Sequence, residues 1–127
     1  MIQYNTDEYM TSEYVLNSFV RAEFIIAEKR DFIAKTKRNN LTDAHTLKLL
    51  ESAQRELDKA TKRQQAVLNT IEALTTKENI VFYSYYVHHL TINETAAVLG
   101  ISRRQTKYIK KAIVNKCYEE CKALDIC

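Results

Sequence analysis

The side chains best suited to bind another molecule are six basic residues near the C-terminus. They lie within residues 102–116, a stretch without a single acidic residue, and are Arg103, Arg104, Lys107, Lys110, Lys111 and Lys116. The whole chain has a formal charge of only +3, but residues 102–127 carry seven basic and three acidic side chains. Arginine can bind a guanine edge with two hydrogen bonds, and lysine is an effective phosphate contact. This cluster predicts a nucleic-acid-binding face, with a solvated helix face as the alternative.

Two cysteines and two histidines form a second group with chemical potential. Cys117 and Cys121, together with His88 or His89, offer thiolate and imidazole ligands of the kind that bind zinc. Structural zinc sites usually show two compact ligand pairs, however, and cysteines one helical turn apart are more often small apolar core residues. We therefore expect no metal site and no cofactor. Three cysteines crowded at the C-terminus are also no disulfide framework, so we expect reduced thiols.

A single glycine and no proline in 127 residues restrict the remaining chemistry. The phosphate-binding loops of nucleotide-binding folds and the nucleophile elbow of α/β-hydrolases each need at least two glycines, so these classes are excluded. No Ser-His-Asp or Cys-His arrangement has a supporting context, and the carboxylates fall on charge-balanced helix faces. We expect an all-α binding protein without enzymatic activity.

Three capping boxes divide the C-terminal half into helices. In this motif a Ser or Thr hydroxyl accepts a hydrogen bond from the backbone amide three residues later, and a Glu or Gln there bonds back. The pairs are Thr75 with Glu78, Thr91 with Glu94, and Ser102 with Gln105. They predict helices over about 77–89, 92–99 and 103–124. Gly100 is placed in the tight turn between the last two, where a left-handed residue is needed.

This order of elements predicts a helix-turn-helix motif, whose second helix enters the major groove of DNA. Side chains expected inside the motif are Ala96, Leu99, Ile101, Thr106 and Ile109. The preceding helix is expected to provide a supporting wall through Ile80, Val81, Tyr83, Tyr85 and Val87. The side chains predicted to contact DNA are Ser102, Arg103, Arg104, Gln105, Lys107, Tyr108, Lys110 and Lys111. Among them, the arginines are assigned to bases or adjacent phosphates, Lys107 and Lys111 to both, and Lys110 to phosphate alone.

Apolar residues in the N-terminal half recur every three or four positions, which is typical of amphipathic helices. A first helix is predicted over about 11–37, with a stripe formed by Val15, Leu16, Phe19, Ala22, Phe24, Ile25, Ile26, Phe32 and Ile33. It is expected to end at residues 37–40. Thr42 and Asp43 are expected to cap a second long helix, whose apolar positions are Leu47, Leu50, Leu57, Leu68 and Ile71.

Together these elements predict a long helical hairpin over residues 1–74 and a helix-turn-helix domain over residues 75–127. Gln54, Thr61 and Gln64 interrupt the apolar pattern of the second helix, and polar residues at such positions often set the oligomeric state. We expect the hairpin to form a homodimer, the alternative being that its seam is the inside of a monomeric bundle. No apolar run approaches the ~18 residues of a membrane span. The acidic, tyrosine-rich start does not resemble a signal peptide. We therefore expect a cytoplasmic protein.

The C-terminal half also carries a family resemblance. Residues 74–117 resemble region 4 of sigma-70-type factors, most specifically in the stretch LTINETAAVLGISRRQTKYI. The N-terminal helices do not resemble sigma region 2. A short protein with a helical front and a region-4-like end is similar to the phage ArpU/RinA group of late-gene transcription regulators. This resemblance implies binding to promoter or operator DNA in a bacterial host cell and control of transcription. An activator of this build would also contact RNA polymerase.

Two other functions share these features. A phage small terminase subunit, which serves DNA packaging, also joins a helix-turn-helix to a helical oligomerisation segment. A protein of the anti-activator type could instead use the region-4 shape to bind a protein partner rather than DNA. The first hypothesis remains a sequence-specific regulator, of the activator type, that reads double-stranded DNA with the helix over 103–116.

Overall fold

The computed structural model describes residues 6–39 and 43–126, which are helical apart from short turns. The helices are α1 (Thr6–Asn17), α2 (Phe19–Arg38), α3 (Ala44–Glu72), α4 (Thr76–Phe82), α5 (Ile92–Leu99) and α6 (Arg103–Ala123). A π-helical turn, Tyr83–Val87, follows α4. The predicted all-α fold, with a helical hairpin before a helix-turn-helix, is confirmed. Among the described residues, no helix is both long enough and apolar enough to cross a membrane.

The helix predicted over 11–37 is in fact two helices that separate at Ser18. The Ser18 hydroxyl donates to the carbonyl oxygen of Val15 at 3.0 Å, and the residue has φ −88° and ψ 0°. Short polar side chains that bond to nearby backbone compete with the regular helix. The break allows α1 to pack against α6, while α2 packs against α3.

The hairpin of α2 and α3 is joined mainly through small side chains. Ala22 on α2 and Ala53 and Ala60 on α3 are buried, and Ile26 is the largest buried side chain contributed by α2. Leu47, expected in this seam, is instead 47% exposed. Alanines allow the two helix backbones to approach closely, which leaves the longer leucines at the margins.

The predicted start of α3 is confirmed at Asp43, whose carboxylate accepts from the backbone amide of Thr46 at 3.1 Å. The accompanying prediction for Thr42 falls outside the described residues, as does that for Asn40 at the end of the preceding helix. The end of α2 carries Lys35, Lys37 and Arg38, as expected for a helix C-terminus.

One hydrophobic core connects the hairpin to the helix-turn-helix. It combines residues from α1, the end of α3, α4, the π-helical turn and α6, namely Val15, Leu16, Ala66, Val67, Val81, Phe82, Tyr86, Ile113, Val114, Cys117 and Cys121. The predicted boundary between residues 74 and 75 therefore crosses a shared core. The division into a hairpin region and a DNA-binding domain remains a prediction about function.

The wall behind the helix-turn-helix agrees with the prediction at Val81, Tyr85 and Val87, which belong to the core or pack against it. Phe82 and Tyr86 are buried there, together with the predicted Val81, whereas Tyr83 is 43% exposed. His89, two residues after the π-helical turn, has a positive φ of 56°.

Candidate nucleic-acid interface

The turn between α5 and α6 is built around Gly100. Its φ of 66° and ψ of 34° are left-handed, and the amide of Ile101 donates to the carbonyl of Ala96 at 3.1 Å. This bond closes the C-terminus of α5 in the manner typical of a left-handed glycine. A Cβ built on Gly100 would meet no atom within 4 Å. The glycine is therefore required by its backbone conformation and not by lack of space.

All three predicted capping boxes are present, with both hydrogen bonds formed in each. At the start of α6, the Ser102 hydroxyl accepts from the Gln105 amide at 3.1 Å. The Gln105 side-chain oxygen accepts from the Ser102 amide, also at 3.1 Å. These two predicted DNA contacts therefore already hold the helix start in place. The side-chain amide nitrogen of Gln105 remains a donor that can face outward.

The first turns of α6 present an exposed basic face. Its members are Arg103, Arg104, Lys107, Tyr108 and Lys111, all exposed to solvent. Tyr108 is 57% exposed and places an aromatic ring among the cations. The positive end of the helix dipole lies at this N-terminus and adds to the attraction for phosphate. The structure thus brings five of the eight predicted DNA-contacting side chains onto one open face, beside the two capping residues.

Lys110 is placed differently from the expectation. Its ammonium lies 3.0 Å from a carboxylate oxygen of Glu13 on α1, and it donates to the Tyr85 hydroxyl at 3.3 Å. It also lies 4.5 Å from the centre of the Tyr85 ring. Burial opposes the charged form of Lys110, but the hydrogen bond and charge of Glu13 outweigh burial and raise its pKa. Lys110 is therefore an internal ion-pair residue, because it lies on the side of α6 that packs against α1.

Lys116 is also turned inward. Its ammonium bonds to the carboxylate of Glu78 and, at 2.9 Å, to the carbonyl oxygen of Ala73. Burial tends to raise the pKa of Glu78, but hydrogen bonds from Lys116 and from the Thr75 amide outweigh it and lower the pKa. Two of the six cations in the acid-free stretch therefore fasten α6 to the rest of the fold.

The interior of the motif largely follows the prediction. Ala96 and Thr106 are buried, and Leu99 and Ile109 pack against the main core. The Thr106 hydroxyl donates to the Ser102 carbonyl at 3.0 Å, which satisfies this polar atom within the helix. The buried, small side chains of α5 and α6 fix the second helix with its basic side outward.

Glu13 and Tyr86 are the supporting residues that the sequence alone did not reveal. The Tyr86 hydroxyl donates to the second carboxylate oxygen of Glu13 at 3.0 Å, so one carboxylate connects α1, the π-helical turn and α6. Glu13 is 73 positions from Tyr86 along the chain. Contacts at this separation leave no local spacing pattern. The only available signal was that Lys110 falls on the apolar side of α6.

The thiols and imidazoles do not assemble into a metal centre among residues 6–39 and 43–126, where no group of three or more His, Cys, Asp or Glu side chains could hold an ion. Cys117 and Cys121 lie in the core with their sulfur atoms 3.9 Å apart. Both are fully buried, in keeping with small core side chains.

Comparison with protein families agrees with this geometry. Residues 70–119 match the family model described as sigma-70, region 4. The matched segment begins in the last turn of α3 and extends into α6, so it contains the complete arrangement described above. Residues 70–119 are therefore a region-4-like helix-turn-helix, and the family that this model describes consists of DNA-binding regulatory domains. Neither the curated proteins nor the solved structures produced a match to this chain.

Proposed function

We propose that this protein is a sequence-specific regulator of transcription that binds double-stranded DNA through the exposed face of α6. The observation that carries the proposal is the acid-free group formed by Arg103, Arg104, Lys107 and Lys111, which lies on the second helix of a region-4-like motif. Helix-turn-helix proteins place the N-terminal part of this helix in the major groove. The function is binding and includes no chemical step.

The proposed contacts divide by the chemistry of their side chains. Arg103 and Arg104 read base edges or bind the adjacent phosphates, because a guanidinium can bond a guanine with two hydrogen bonds. Lys107 and Lys111 neutralise phosphates and approach bases, with Tyr108 between them. Ser102 and Gln105 hold the helix start and meet the DNA backbone from there. Lys110 is left out of this set because it is paired with Glu13.

The biological role that fits best is activation of late genes in a phage or prophage, inside the bacterial host cell. The support is the combination of a region-4-like segment with a helical front that does not resemble the promoter-melting part of a sigma factor. RNA polymerase is the protein partner that this role requires. Two copies of the chain, joined through the hairpin, would read two half-sites separated by one or more turns of DNA.

The decisive experiment selects bound fragments from the host and phage genomes and maps the protected bases by footprinting. The Arg103→Ala/Arg104→Ala variant is expected to lose at least about thirtyfold in specific affinity, since a lost base contact costs roughly 1–3 kcal/mol. Lys122→Ala, which removes an exposed cation from the last turn of α6, serves as the control and should bind like the wild type.

Three results would contradict the proposal. Unchanged affinity of the double variant removes the assigned face. Absence of salt-sensitive DNA binding points to a protein-contact module of the anti-activator type. A ring of eight or more subunits by light scattering points to a small terminase subunit.

A further inference from the structure

The outer face of α2 carries an apolar stripe whose centre is exposed to solvent. Its residues follow the alternating four- and three-residue spacing of a coiled-coil seam and are Val20, Phe24, Ala27 and Ala34, with Asp31 in the remaining position. We refer to these five residues as the α2 seam. Phe24 is 79% exposed, and the other members are exposed as well. The opposite side of α2 is occupied by α3 through Ala22 and Ile26.

We propose that the α2 seam binds the α2 seam of a second copy of this chain, with the two helices antiparallel. This inference rests on the dimer in the proposed function and specifies its surface and geometry. In the favoured register, Phe24 lies opposite the partner's Ala27, and by symmetry Ala27 lies opposite the partner's Phe24. A large side chain thus meets a small one in each of the two central layers.

The charges beside the seam select the antiparallel orientation. Arg21 and Glu28 lie on one side of the seam, seven residues apart, and Glu23 and Arg30 lie on the other. In an antiparallel pair, residues on the same side face one another. Arg21 then faces the partner's Glu28 and Glu23 faces the partner's Arg30. The two-fold axis repeats both pairs, so four opposite-charge contacts flank the seam.

The parallel orientation places like charges together. Flanking residues five positions apart then meet across the seam, which puts Glu23 beside the partner's Glu28. It also puts Arg30 beside the partner's Lys35. Each repulsion occurs twice in a symmetric dimer. Because flanking charges set the orientation of paired helices, the parallel alternative is disfavoured.

These flanking charges are available for a partner. Arg21, Glu23, Glu28 and Arg30 are exposed and form no ion pair within residues 6–39 and 43–126. The intervening Lys29, in contrast, reaches α3 and pairs with Glu56 at 2.8 Å. Lys29 is thus paired inside the described part of one chain, whereas the four charges beside the seam are not.

Self-complementarity is the reason that the occupant is a second copy. An interface with two-fold symmetry must match its own surface, and the order Arg-Glu followed seven residues later by Glu-Arg does so. Asp31 forms an ion pair with Lys35 at 3.0 Å on its own helix. Lys35 therefore balances the charge of Asp31. In the dimer, Asp31 lies at the edge of the contact, opposite the partner's Val20.

The test exchanges charges without changing the net charge. The first variant is Arg21→Glu/Glu23→Arg, the second is Glu28→Arg/Arg30→Glu, and the control contains all four substitutions. Sedimentation equilibrium measures the dimer dissociation constant of each variant alone and of the first two variants mixed in equal amounts. All variants keep α6 unchanged, and binding to a single half-site is measured in parallel.

When two molecules of the same two-residue variant form the antiparallel dimer, all four flanking contacts join like charges. Each of these variants should therefore dimerise at least about tenfold more weakly than the wild type. In the mixture, every flanking pair is again opposite in charge, so heterodimers should form with close to wild-type affinity. The four-residue variant should also return to wild-type affinity, which shows that the substituted helix folds. Half-site DNA binding should stay within about threefold throughout, because the substitutions lie on another helix.

A wild-type protein that stays monomeric at high concentration overturns this inference and leaves DNA recognition unaffected. Equal dimerisation of all variants overturns it as well and places the interface elsewhere. Tighter self-association of the second variant than of the wild type shows a parallel pair, because that change replaces both repulsions of the parallel form with attractions.

Discussion

The two faces of α6 use the same kinds of cations for opposite purposes. On the outer face, Arg103, Lys107 and Lys111 are exposed to solvent. On the inner face, Lys110 and Lys116 reach acidic side chains that belong to α1 and α4. All five residues lie in the same acid-free stretch, residues 102–116. Their roles differ only because the rest of the fold covers one side of the helix.

This difference separates variants that affect binding from variants that affect stability. An outer-face change should alter DNA affinity and leave the free energy of unfolding almost unchanged. An inner-face change should do the reverse. The following experiments test this separation, beginning with the largest expected effect on stability.

Replacing Lys110 with Met leaves the Glu13 carboxylate without its cation in a partly buried site. We expect the free energy of unfolding to fall by about 2 kcal/mol. Lys107→Met on the outer face is the matched control and should change it by less than about 0.5 kcal/mol. Urea denaturation followed by circular dichroism measures both values.

The same two variants should show the opposite order in DNA binding. Lys107→Met is expected to lower the slope of affinity against salt concentration by about one unit, because one phosphate contact is lost. Lys110→Met should leave that slope unchanged among molecules that remain folded. An equal loss of slope in both variants would show that Lys110 leaves Glu13 to contact DNA.

Gly100 lies in the turn before α6 and sets the orientation of both faces of that helix. Gly100→Val forces a β-branched residue into a left-handed conformation, and we expect a loss of about 2 kcal/mol in the free energy of unfolding. Gly100→Asn should be much milder, because asparagine adopts this conformation more readily. Both stability and DNA affinity should fall in the valine variant. Normal values for both would show that the chain turns in another way.

The ion pair between Glu78 and Lys116 should give a pH-dependent effect of about 1 kcal/mol. Glutamine can replace glutamate in a capping box, so Glu78→Gln removes the charge and keeps the helix start. The pKa of Glu78 is lowered in the fold from its ordinary value of 4.5. Its stabilisation is therefore complete above about pH 4.5 and disappears as the pH falls through the lowered pKa.

Denaturation curves near neutral pH and in acid check this sign. The wild type should be more stable than Glu78→Gln at neutral pH, and the difference should shrink in acid. Lys116→Met should show the same pH window, because it removes the cation that lowers the pKa of Glu78. A difference that stays constant with pH would contradict the role of this pair.

The helix-turn-helix was far more predictable than the hairpin. Thr75, Thr91 and Ser102 start their helices through bonds that span three residues, and Gly100 ends α5 through its own backbone conformation. These capping residues and this glycine are local signals, because each lies within one helical turn of the helix start or end that it specifies. In the hairpin, the interruption at Ser18 was missed, because the apolar stripe continues across it. The leucines of α3 were expected in a seam that alanines occupy.

The sequence by itself determined the helical class, the three capped helix starts, the left-handed turn and the concentration of positive charge just after that turn. Each of these depends on a hydrogen bond or a backbone preference within a few residues. Only the tertiary structure decided which of those charges face solvent. Burial depends on packing between distant segments, and it was the docking of α1 and α4 that gave Lys110 and Lys116 their acidic partners and left the other cations open.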